Sequence, residues 1–130
     1  MKFLNLWQEA RANVLSRRYE GLMRQIDAAD PAAKLACFGV VKSSFEFLSK
    51  RYASGSTAER KEVFKHASRT IHQLSDSGDW PRALGLTIIM FNLEARHLPG
   101  NEAAALKAAT DRLLEEAVEY DEPQLLKNVG

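Results

Sequence analysis

Cysteine is almost missing from this 130-residue sequence. Cys37 stands alone, so no disulfide can form within the chain, and a reducing, cytoplasmic setting is expected. Long apolar runs are missing as well. Even Ile88 to Phe91, as long as any, falls far short of the roughly 20 residues that cross a bilayer, so no membrane partner is expected. Met1 to Gln8 opens like an export signal, but Glu9 and Arg11 interrupt it before an apolar core has formed, and none is expected. No stretch alternates apolar and polar residues, which argues against strands. A glycine-rich phosphate loop and a nucleophile elbow are also lacking.

The chemistry of catalysis is thinly represented. Three histidines occur, and His66 and His72 are six residues apart, on different sides of one helix. Glu62–His66 and His72–Asp76 are pairs at helical spacing, yet two ligands do not make a metal site. Cys37 sits mid-helix beside Val40, Ser44 and Phe47, where nothing lowers a thiol's pKa, so a small core residue is expected. The late carboxylates, Asp111, Glu115, Glu116, Glu119, Asp121 and Glu122, lack the Glu-x-x-His partners of a di-metal bundle. With Lys107–Asp111 and Arg112–Glu116 at i,i+4 spacing, they read as a solvated face. Their crowding at a helix C-terminus opposes the macrodipole, which a basic surface of this chain or of a partner would relieve. No enzyme activity, cofactor or metal is expected.

What the sequence does contain is ordinary globular composition, 45% apolar and 27% charged, enough to exclude long disorder. A single domain over residues 1–130, with residues 121–130 as a loose tail, buries about two-thirds of its unfolded surface. The helix breaks are well punctuated. Asp30-Pro31 is an N-cap followed by proline at the first helical position. Gly55 suits a left-handed stop, and Ser56-Thr57-Ala58-Glu59 is a capping box. Gly78-Asp79-Trp80-Pro81 repeats the stop and start, and Pro99-Gly100-Asn101 does so again, with Asn101 as the expected cap.

Between the breaks the period is helical. Phe38, Val41, Phe45, Leu48 and Tyr52 share one face, as do Phe64, Ala67, Ile71 and Leu74. Leu84, Ile88, Phe91, Ala95 and Leu98 follow, then Leu106, Ala109, Leu113, Ala117 and Tyr120. The first segment drifts, from Phe3, Trp7, Ala10 and Val14 to Leu15, Tyr19, Leu22 and Ile26. The expected fold is all-α: an up-and-down antiparallel bundle of four helices, with a long N-terminal helix packed along or across them.

Two family shapes enter here. Gly78-Asp79-Trp80, followed by Ala83-Leu84 and later Pro99, resembles the second helix of a tetratricopeptide repeat. It covers one helix, and no second copy stands one repeat length away. The helix succession from Asp30 to Glu119 looks like the flagellin-export chaperone family in length and loop spacing, which any antiparallel four-helix bundle shares. Neither resemblance transfers site residues.

Two surfaces stand out. The fourth segment carries Leu86, Ile89, Met90 and Leu93 behind its core stripe, and a helix apolar nearly all round must be covered nearly all round. That stripe is the candidate interface for a protein partner or a homodimer. The other surface is basic. Residues 1–70 carry 13 Lys/Arg against 7 Asp/Glu, and residues 71–130 carry 5 against 10. Lys50, Arg51, Arg60, Lys61 and Lys65 bracket the turn at Gly55, and Arg69 extends them by a turn. Such a patch can hold phosphates, although no exposed aromatic is expected as a stacking platform and the helix pair is too long for a helix-turn-helix. The function expected is a non-enzymatic protein-interaction module, an adaptor, chaperone or regulator. The alternative is a nucleic-acid-binding regulator using the basic patch.

Overall fold

The computed structural model describes residues 2–120, with side chains from residue 8 onward. The expected tail, including Leu125 and Leu126, lies outside the described residues. Five helices follow one another: α1 (Lys2–Ala28), α2 (Pro31–Ser54), α3 (Thr57–Asp76), α4 (Trp80–Ala95) and α5 (Asn101–Glu119). All regular structure among the described residues is helical.

The starts follow side-chain chemistry. Asp30 accepts from the Ala33 backbone N–H at 2.7 Å, and Ser56 accepts from that of Glu59 at 3.3 Å. Each satisfies one of the donors that a helix start leaves without a partner. Asp79 caps α4 through Arg82 in the same way. Two expectations are corrected. Gly55 is not left-handed, with φ −84° and ψ 155°. It is glycine for space, since a Cβ there would lie 2.8 Å from the Arg51 carbonyl oxygen. Asn101 is not the cap of α5. Gly100, at φ 98°, takes that position, and no side chain bonds the first turn. Asp30→Ala is therefore expected to lower stability by about 1 kcal/mol, and Asn101→Ala by only a few tenths. Denaturant midpoints of the two variants compare them directly.

α4 is the centre of the fold. It packs against all four other helices, most extensively against α2, then α3 and α5. Gly85 makes the α2 crossing close, because any Cβ would lie 2.4 Å from the Cys37 carbonyl oxygen. Eleven of the sixteen residues of α4 are consequently buried. A two-residue link joins α1 to α2, yet α1 turns away and packs on α5 and α4 instead. Ala12 and Leu15 are sealed there, and Arg11 donates two hydrogen bonds to Glu94, at 2.6 and 3.1 Å.

α4 also carries a polar anchor. Asn92, fully buried, donates from Nδ2 to Thr110 Oγ1 and to Asp111 Oδ1, both at 2.8 Å. Lys107 donates to the other Asp111 oxygen at 2.8 Å. Burial pushes the Asp111 carboxyl up, but the bonds from Lys107 and Asn92 outweigh it and hold the group below its ordinary value. These bonds fix α5 in register on α4.

Candidate functional site: a basic groove along α3

The apolar stripe expected to meet a partner is not a surface. Leu86, Ile89, Met90 and Leu93 are 7%, 0%, 5% and 0% exposed within one chain. The sequence reading looks to a protein partner or a second copy for that cover, and the chain supplies it itself. Because α4 is central, its neighbours enclose it from all sides, with α2 and α3 making larger contacts than α1. Cys37 is equally enclosed, and burial pushes its thiol up to about 11, which keeps it protonated and unreactive at neutral pH.

The basic patch is a surface, and it has shape. α3 is only lightly enclosed, with Val63 and Ala67 its two buried residues. Phe64, Ile71 and Leu74, expected in the core, are half-buried. Val63 takes the inward position, which turns Phe64 by about 100° towards the rim. Along that rim runs an open groove of about 740 Å³. Thr57, Arg60, Lys61, Phe64, Lys65, Ser68, Arg69 and His72 line it from α3, while Tyr52 of α2 and His97, just past α4, close it. On α3 these positions recur every three or four residues for about four turns, forming one continuous helical face.

The wall at the α2 end is aromatic. Phe64 meets Tyr52 edge-on at 5.5 Å between ring centroids, and His97 lies against the same tyrosine at 4.9 Å. Arg60 reaches over the Tyr52 ring at 6.0 Å and donates to the Gly55 carbonyl at 3.3 Å, which holds its guanidinium at the groove's mouth. No carboxylate lines the groove among the described residues. Arg60, Lys61, Lys65 and Arg69 make no ion pair among the described residues. Four cations therefore face one apolar trough.

Two of the six patch residues lie elsewhere. Lys50 pairs with Glu46 at 3.0 Å, and the Arg51 guanidinium sits 5.7 Å over the Phe47 ring. A turn brings two helix ends together, but the rotation of each helix decides which side chains meet. Exposed aromatics do occur, contrary to expectation: Phe47 is 61% exposed and Trp80 is 45% exposed. Neither lines this groove.

His97 reports the field inside it. Partial desolvation, with Arg60 and Arg96 close by, holds the imidazole below its ordinary value of 6.5. An anion seated in the groove offsets those positive charges and favours the imidazolium. The His97 midpoint, followed by its ring proton in NMR, is thus expected below 6.5 in the free protein. It should rise when an acidic ligand binds. By linkage, affinity then increases as pH falls through the bound-state midpoint and levels off below the free-state one. A midpoint unmoved by saturating ligand would place the ligand away from His97.

Among the described residues no three potential metal ligands come together, and no helix is long and apolar enough to cross a membrane. Comparison with protein-family models, curated proteins and solved structures returns no match for this chain.

Proposed function

We propose that this chain is a non-enzymatic protein-interaction module whose working surface is the α3 groove, and that its partner presents an acidic, amphipathic helical segment. The observation that carries this reading is the composition of the groove: four cations and no carboxylate around an apolar trough. A trough of about 740 Å³ is within the range of pre-formed binding sites. Its repeat along α3 matches how helices pack side by side, so an added helix would lie on α3 as its native neighbours lie on α4. Apolar side chains of that helix would cover Phe64. Its carboxylates would meet Lys61, Lys65 and Arg69, which lie four residues and about 6 Å of rise apart.

The same cations would attract a nucleic acid, and a protein segment is favoured for a structural reason. Tyr52 is only 6% exposed, and its ring is already occupied by Phe64, His97 and Arg60. Bases are thus denied the Tyr52 ring as a platform on which single strands stack. The test is a titration of labelled ligands by fluorescence anisotropy. A helical peptide with Glu at i, i+4 and i+8 and Leu at i+3 is expected to bind. Its Lys-substituted counterpart, single-stranded DNA and duplex RNA should bind far more weakly. Preference for either nucleic acid would replace this reading with the other.

A further inference from the structure

α5 carries a mirror of the groove's charge pattern. Lys61, Phe64 and Lys65 stand at i, i+3 and i+4 on α3, one apolar side chain between two positive ones. Glu115, Val118 and Glu119 stand at i, i+3 and i+4 on α5, one apolar side chain between two negative ones. The row on α3 continues to Arg69, whereas the next acid on α5, Asp111, is already held by Asn92 and Lys107. Val118 is 48% exposed, although valine on a helix gains nothing from water. Glu115 and Glu119 make no ion pair among the described residues. Together with Phe45 and Leu114 they border a shallow hollow of about 330 Å³, with Arg96 as the cation at its edge.

The two rows cannot meet within one chain. α3 and α5 each pack against α2 and α4, and they do not pack against one another. The acidic row also gathers at the C-terminal end of α5, where the helix dipole disfavours negative charge. A basic surface laid on it from outside would offset that penalty. Since the whole chain carries a net charge of only +1, two copies approach without strong mutual repulsion.

We infer that the α3 groove takes the Glu115–Val118–Glu119 face of α5 from a second copy of this chain, making the protein self-associate through opposite charge rows. This rests on the reading of the groove as a site for an acidic helix, and names one such helix. Each contact is heterologous, with a different surface on each side, so association closes as a dimer where two contacts are reciprocal and otherwise runs head to tail into larger species. Being rimmed by exposed charges, it weakens with salt.

Sedimentation velocity over a range of protein concentrations tests the inference, with circular dichroism to confirm helix content. Wild type at low salt should shift from monomer towards twice that mass or more, and return to monomer in high salt. K61E/K65E and E115K/E119K should each stay monomeric. Both should fold, since all four side chains are exposed. An equimolar mixture of the two should form a 1:1 complex. The fourfold variant, which carries both swaps, should self-associate again. Should either double variant lose helix, the neutral pairs K61Q/K65Q and E115Q/E119Q replace it, with the loss of association still expected. A wild type that is monomeric at every concentration would overturn the inference, as would variants that associate like wild type. If wild type is monomeric yet the acidic peptide binds the groove, only the self-association is wrong. If the peptide fails too, the reading of the groove falls with it.

Discussion

Met90→Glu is expected to leave a chain with no cooperative thermal transition and little helical signal at 25 °C. Met90 is 5% exposed and lies on the helix that every other helix touches. The substitution removes the burial of a methionine, about 1.5–3 kcal/mol. It also places a carboxylate in the buried apolar cluster that holds Leu86, Ile89 and Leu93. The group either ionises at a cost of several kcal/mol or takes up a proton to avoid doing so. Together these reach the lower part of the roughly 5–15 kcal/mol that holds a domain of this size folded. Met90→Leu, which nearly conserves volume, should cost less than about 1.5 kcal/mol. A Met90→Glu protein that melts like wild type would show that the stripe faces solvent, and would undo the central placement of α4.

Charge reversal in the groove should have the largest effect on binding and almost none on stability. Lys61, Lys65 and Arg69 are exposed, and no hydrogen bond of the described residues uses them. Each exposed ion pair with a ligand contributes about 0.3–1 kcal/mol. Losing three weakens an acidic helix about five- to a hundredfold, and repulsion from the new carboxylates adds to that. K61E/K65E/R69E should therefore bind the acidic peptide beyond the reach of the anisotropy titration, while its melting curve overlays that of wild type. Wild-type affinity should itself decline with salt, since the pairs lie at an open rim. If reversal changed affinity less than threefold, the apolar trough alone would be responsible for binding. K50E/R51E is the matched control and should bind like wild type, because those cations face Glu46 and Phe47.

Much of this architecture is legible in the sequence because helix boundaries are local chemistry. Asp30-Pro31, Ser56 with Glu59, and Asp79 each end up capping the helix they announce. The width of the apolar surface on α4 correctly demands cover on every side. Periodicity shows that a face is buried, however, and not what buries it, so the identity of the covering helices was out of reach. The Gly85–Cys37 crossing and the Asn92–Thr110–Asp111 anchor bring together residues 18 or more positions apart, and no spacing rule links them. Gly85 and Asn92 are visible only as interruptions of an apolar run.

The groove was half legible. Four of its cations follow from the turn at Gly55, since antiparallel helices return to the same end. Periodicity puts Phe64 in the core, since Val63 and Phe64 each form an acceptable stripe with Ala67 and only the tertiary packing chooses Val63. His97 carried a weak signal, beside Arg96 and two residues before Pro99, that one-dimensional reading could not connect to α3. Proximity to the turn groups Lys50 and Arg51 with the groove's cations, but it says nothing of helix rotation.

The claim that the α3 groove is the working surface is tested most directly by amide chemical-shift mapping. An isotope-labelled protein titrated with the acidic helical peptide is predicted to show its largest shifts along α3 from Thr57 to His72, and at Tyr52 and His97. The amides of α1 and those around Trp80 should stay in place. Shifts centred instead on Phe47, on Trp80 or on the α5 face, with α3 unmoved, would contradict the account.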